Sequence, residues 1–225
     1  MALILNIETS TTNCSVSLSK DEEILVLKED NNAGYSHAEK LHLFIKEVID
    51  KSGVSRNNLD AIAISKGPGS YTGLRIGVST AKGLCFSLDK PLISVSTLHA
   101  LALQVKKPLS GVIVPMLDAR RMEVYSAIFN MDYTSKREIR AEVLNENSFK
   151  TELSNDIVYF IGNGAVKTKQ LISHNNAVFI EDKLPSASTM GVIANSKYKI
   201  SDFEDVAYFE PYYLKDFVAI KSKKI

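Results

Sequence analysis

Residues Ser65–Gly77, SKGPGSYTGLRIG, place four glycines and a proline in thirteen positions. The stretch follows a nearly continuous apolar run, Leu59 to Ile64, and leads into Leu74 to Leu88, which contains no proline. Such a run suits a central strand covered on both faces, and the continuation reads as a helix closed by Asp89, Lys90 and Pro91. Strand, glycine turn and helix also frame the loops that grip phosphates, so spacing decides between readings. A P-loop requires GxxxxGK followed by Ser or Thr, and that spacing fails here. The dinucleotide fingerprint GxGxxG fails as well, because after Gly67 and Gly69 the third position is Thr72. Amides near Tyr71 to Gly73 still offer the donors and positive dipole end that any helix start presents to an anion.

A second feature of the same segment is more specific. Gly73, Gly77 and Ala81 recur every fourth residue, with Gly83 nearby, leaving one helix ridge almost bare. Glycine costs up to about 1 kcal/mol in a helix interior relative to alanine, and close backbone approach is the gain that offsets it. The ridge either packs on its own sheet and the Leu41 to Ile49 helix or seats a partner's helix.

Outward from this segment the chain reads as two similar halves. Leu3 to Glu8, a polar turn Thr9 to Asn13, and Cys14 to Leu18 form a hairpin, with a third strand near Glu23 to Glu29. Ser36 and Glu39 compose a capping box before Leu41, Phe44, Ile45, Val48 and Ile49, the apolar stripe of a helix ending at Gly53. Leu92 to Val95 is a short strand, and Ser96 or Thr97 caps a helix from Leu98 to Val105. Beyond Pro108, Val112 to Asp118, the turn Ala119 to Arg121, and Glu123 to Phe129 repeat the opening hairpin, with Asp118 standing where Glu8 stands. Ile157 to Ile161 and Gly162, Asn163, Gly164 repeat the later strand, turn and helix. The expected fold is α/β: two lobes, 1–108 and 109–225, each a mixed sheet flanked by helices, the last segment able to pack back on the first lobe.

Composition excludes several classes. The 225 residues are 45% hydrophobic and 24% charged, the balance of a globular chain rather than a disordered or fibrous one. A net charge of +1 lacks the basic excess of a protein that grips nucleic acid unaided. The basic tail, Lys221, Lys223 and Lys224, reads as a solvated terminus. Cys14 and Cys85 stand alone in apolar surroundings and read as reduced core residues. Without a membrane-length apolar run or a basic leader, the expected location is cytoplasmic, with no membrane partner.

Two constellations invite chemistry. In HAEKLH, His37 and His42 flank Glu39, yet a spacing of five turns them about 140° apart on a helix. A zinc protease needs its pair four apart, so no metal site is expected. Glu8 and Asp118, each ending a hairpin strand, are placed to face one another across an interlobe cleft, as acids positioning a magnesium nucleotide do. That arrangement would suit an ATP-dependent kinase or ATPase, although the turn after Glu8 (Thr9, Ser10, Thr11) and the turn after Asp118 (Ala119, Arg120, Arg121) lack glycine.

ILNIETSTTNCSVSL at the start, GPGSYTGLRIG, LDARRMEVYSA, IGNGA and the terminal EPYYLKDF together resemble the TsaB family, also called YeaZ, in the family's order and over nearly the whole chain. The resemblance implies a two-lobed fold of the actin and sugar-kinase type, a duplicated ribonuclease H-like design. It also implies a part in forming N6-threonylcarbamoyladenosine at position 37 of tRNAs that read codons beginning with A. In that family the transfer from threonylcarbamoyl-AMP belongs to the paralogue TsaD, whose metal histidines are four apart. The TsaB chain is a non-catalytic partner of TsaD, acts with TsaE, is a homodimer when alone, and meets tRNA through the complex. No cofactor is then expected for the isolated chain, ATP or ADP and Mg2+ being confined to the complex. Family members pair through two first-lobe helices, here Ser36 to Lys51 and Thr72 to Ser87. The implied interface residues are Leu41, Phe44, Ile45 and Val48 on the first helix, and Gly73, Leu74, Ile76, Gly77, Thr80, Ala81 and Leu84 on the second. This tips the bare ridge toward partner packing. Glu8 stands where the family usually has aspartate, and LDARRMEVY replaces a more glycine-containing turn, so Glu8, Thr9, Ser10 and Asp118 would form a vestigial nucleotide cleft.

Overall fold

The computed structural model describes residues 1–31, 37–106 and 110–215. Ser36 of the capping box and the tail lysines lie outside the described residues. The opening residues form the hairpin β1 (Leu3–Glu8) and β2 (Cys14–Lys20), followed by β3 (Glu23–Asp30) and helix α1 (His37–Ser52). Then come β4 (Ala61–Gly67), α2 (Tyr71–Leu88), β5 (Leu92–Ser96) and α3 (Thr97–Ala102). The second half supplies β6 (Val112–Asp118), β7 (Glu123–Asn130), β8 (Ser135–Val143) and α4 (Lys150–Asn155). It ends with β9 (Val158–Ile161), α5 (Ala165–Leu171), β10 (Ala177–Ile180) and α6 (Met190–Lys199).

The two sheets share one topology. Their strand orders are β3-β2-β1-β4-β5 and β10-β9-β6-β7-β8, so each begins as an antiparallel meander and continues as parallel strands. This is the duplicated two-lobed α/β architecture expected above. Period-two alternation along β1 and β4 sends Leu5, Ile7, Ile62 and Ile64 to one face, into a core with Leu41, Phe44 and Val48 of α1 and Val78 and Ala81 of α2. Ile4, Ala61 and Ala63 point the other way, against Ala187, Met190 and Ala194. Small side chains on both partners let α6 lie close on the sheet. A helix of the second half thus covers the first sheet, and α3 presents Ala100 to that same layer while Leu98 and Leu101 pack on Ile113, Leu117 and Phe129 of the second.

Several boundaries move from their expected places. The strand expected from Leu59 begins at Ala61 and runs on to Gly67. Helix α2 begins at Tyr71, because the Ser70 hydroxyl accepts from the Gly73 amide, and α3 stops at Ala102. Strands β8 and β10 and helices α4 and α6 had no sequence expectation.

Candidate functional site

A cleft of about 430 Å³ opens between the lobes where β1, β4 and β6 end. Its first-lobe wall is built by Ser10, Thr11, Thr12 and the start of α2, its second-lobe wall by Asp118, Ala119, Arg120, Tyr125 and Asn163. Glycine makes the first wall. Gly67 turns the chain at φ 108°, and a β-carbon on Gly69 would sit 2.5 Å from the Ser10 carbonyl oxygen. That close approach lets the Ser70 amide donate to the same oxygen at 2.7 Å, clamping α2 to the turn after β1.

The paired-acid expectation is corrected by the position of Glu8. Asp118 is exposed at the cleft wall, whereas Glu8 is fully buried and absent from the cleft lining. The Glu8 carboxylate accepts from the Ser10 amide at 2.6 Å and the Ser65 hydroxyl at 3.0 Å. Burial pushes its carboxyl above the ordinary value of 4.5, against the opposing pull of the Ser10 and Ser65 bonds. Thr9 is equally committed, its hydroxyl donating to the Gly73 carbonyl at 2.8 Å. Asp118 instead meets Lys167 of α5, whose ammonium lies 2.8 Å from the carboxylate and donates to the Arg121 and Glu123 carbonyls at 2.8 and 2.6 Å. Lys167 thereby pins a hairpin turn in which Arg120 and Arg121 both adopt positive φ, 70° and 49°. Non-glycine residues enter that region at roughly 1–2 kcal/mol each.

The expected interface residues divide into two sets. Leu41, Phe44, Val48, Gly73, Leu74, Gly77 and Ala81 are buried, and Ile45, Ile76, Thr80 and Leu84 are half-buried along the outer side of the two helices. The bare ridge faces inward. A β-carbon on Gly73 would collide with the Thr9 carbonyl oxygen, and one on Gly77 with the Thr9 hydroxyl and, at 2.9 Å, with Ile64. The reading of these two glycines as cleared for a partner is therefore corrected: they admit the chain's own β1 turn. Gly83, by contrast, is exposed and meets nothing.

His37 is buried, and its Nε2 lies 2.7 Å from the Thr11 carbonyl; burial lowers its pKa, with the Thr11 bond opposing. His42 is exposed. Among the described residues no group of three or more His, Cys, Asp or Glu is placed to hold a metal. Cys14 and Cys85 are free and buried, with burial pushing the thiols up to about 11 and about 12. No helix among the described residues is long and apolar enough to cross a membrane.

Residue-by-residue reasoning missed the part of Lys167, which sits two residues beyond GNGA, and of Tyr212, Tyr213 and Lys215, which line the cleft. A tyrosine pair next to a proline carries no periodicity that would have flagged it. Asn163 was noted only as part of a turn, yet its side-chain oxygen accepts from the Asp118 amide at 2.9 Å.

Comparison with known proteins adds ancestry to this geometry. A family described as TsaD, tRNA N6-adenosine threonylcarbamoyltransferase, matches residues 31–223. The tRNA threonylcarbamoyladenosine biosynthesis protein TsaB of Haemophilus influenzae is 31% identical, covering 97% of this chain and 95% of that protein. The Escherichia coli protein of the same name is 30% identical, over 97% and 96%. The solved structure of YeaZ from Pseudomonas aeruginosa superposes with a TM-score of 0.79 at 26% identity, covering 95% of this chain and all of that one.

Proposed function

Because the chain belongs to the TsaB family, also called YeaZ, we propose that it is an accessory subunit in forming N6-threonylcarbamoyladenosine in tRNA. In this reading it binds TsaD, with TsaE as a further partner, and contributes no chemistry of its own. The carrying observation is the fate of the Glu8 carboxylate, held against Ser65 and the Ser10 amide instead of lining the cleft. A buried acid with two intramolecular donors is not poised for a magnesium nucleotide, which supports a scaffold over a kinase or ATPase of the same architecture. Nucleotide and Mg2+ then act only in the assembled complex, and tRNA is met there.

The surface proposed for TsaD is the outer side of α1 and α2. Ile45 and Ile49 of α1 and Ile76, Leu84 and Leu88 of α2 are only partly buried against the first-lobe core, and Phe86 is 87% exposed. Apolar side chains half covered along two neighbouring helices are the material of a helix-on-helix interface. Thr80 lies among them, so Thr80→Arg tests the surface without touching the core. Titration with purified TsaD is expected to show at least about tenfold weaker binding and an unchanged melting temperature. Equal affinity for variant and wild type would move the interface elsewhere. Gly77→Leu does not isolate this question, since its side chain would strike Thr9 and Ile64.

A further inference from the structure

After α6 the chain turns back across both lobes. Glu204 pairs with Leu92 at the edge of the first sheet, its amide 2.8 Å from the Leu92 carbonyl. Lys82 of α2 then donates to the Ala207 and Phe209 carbonyls at 2.9 and 3.2 Å, while Val206 and Phe209 pack on the first-lobe core. The Tyr212 amide donates to the Lys66 carbonyl at 2.7 Å. At Gly67 a β-carbon would sit 2.9 Å from the Tyr212 oxygen, so the absent side chain is what admits the segment. The Tyr213 ring lies 5.0 Å from that of Tyr71, and its hydroxyl accepts from Arg75 Nε at 3.2 Å. Two residues later Lys215 forms an ion pair with Glu123 at the start of β7, in the other lobe.

We propose that residues 204–215 form a latch that ties the two lobes together across the mouth of the cleft and holds it at one opening. The segment is anchored along the first lobe by backbone and aromatic contacts, and it crosses to the second lobe through Leu214 and Lys215, both of which line the cleft. Elsewhere α3 is packed between the two sheets and α6 of the second half covers the first sheet, so a tie at the mouth adds a restraint on rotation about those packed helices. The final link is an exposed ion pair, with the Lys215 side chain 46% accessible, and links of that kind are weak. The latch is firm on one lobe and releasable on the other. Hinge closure and opening in two-lobed proteins are controlled by few residues, and here Tyr213 and Lys215 are those residues.

The test uses the full chain. Spin labels on Asn57→Cys and Lys136→Cys, exposed positions in separate lobes, report the interlobe distance, while the buried Cys14 and Cys85 stay out of reach of the label. In the Tyr213→Ala, Lys215→Ala background the distance distribution is expected to shift to longer values and broaden. A distribution identical to that of the latched protein, in a variant whose Tyr212 amide exchanges faster and whose segment has therefore been released, would overturn the proposal. Should the double variant not fold, Lys215→Ala alone carries the test. Broadening supports the latch, and an unchanged distribution overturns it.

Discussion

Replacing Gly73 or Gly77 by alanine sets helix propensity against packing. On an open helix face either change would stabilise by about 1 kcal/mol. Here the new β-carbon meets the turn after β1: at Gly73 the backbone oxygen of Thr9, at Gly77 the Thr9 hydroxyl together with Ile64 Cδ1 at 2.9 Å. Overpacking of a well-filled site costs about 1–3 kcal/mol. Displacing Thr9 also loosens its 2.8 Å bond to the Gly73 carbonyl, worth about 1 kcal/mol. The net expectation is a loss of about 1–3 kcal/mol for each variant. For a chain of this length that lowers the melting temperature by roughly 2–12 °C. The two positions separate in a double-mutant cycle with Thr9→Ala. Removing the hydroxyl relieves the collision at Gly77 and recovers much of its loss, whereas the backbone oxygen facing Gly73 remains. Thermal unfolding followed by circular dichroism provides every value of the cycle. Alanine variants that melt above the wild type would refute the inward-facing ridge.

Further outcomes follow from buried groups. Burial raises the Glu8 carboxyl above 4.5 in the folded state, so the native protein holds that proton more tightly than the unfolded chain does. The resulting stabilisation is complete below pH 4.5 and is lost as pH rises through the native value. Glu8→Gln should flatten stability against pH in that window and melt higher at neutral pH; parallel pH curves for the two proteins would contradict this. The thiols of Cys14 and Cys85 should stay silent toward an aromatic disulfide reagent in the native protein and react together in denaturant, because both are buried and raised to about 11 and about 12. Rapid labelling of either in the folded state would show that its packing is misdescribed. Lys167→Met removes the ammonium that holds the Arg121 and Glu123 carbonyls, and should destabilise the protein by about 1–3 kcal/mol, with faster amide exchange around the Arg120 and Arg121 turn. Unaltered exchange there would mean the turn supports itself.

Most of the frame was legible where physical signals were local. The β1 and β2 hairpin and the β6 and β7 hairpin showed as apolar strands around short polar turns, and their repetition pointed to the shared sheet order now seen. Strand β8 was hidden because a charged residue, Arg137, fills a half-buried position, where its Nη2 pairs with Glu142 and Ser126. Helix α6 was hidden because Gly191 and the buried Asn195 interrupt the face on which Met190, Ile193, Ala194 and Tyr198 pack, weakening the apolar stripe to read. At the site, the chemistry of Glu8 and Asp118 looked equivalent, since each is an acid ending a strand. Only the fold brings Ser65 behind one and Lys167 beside the other. The glycine ridge was visible in the sequence, but the neighbour requiring it, Thr9, lies 64 residues away along the chain.

The accessory-subunit claim is tested most directly by assaying threonylcarbamoylation of tRNA from threonylcarbamoyl-AMP with purified TsaD, with this chain, and with both. The account predicts no product from this chain alone and, with both, a rate well above that of TsaD alone. Product formed by the isolated chain, or a TsaD rate unaffected by its addition, would contradict it.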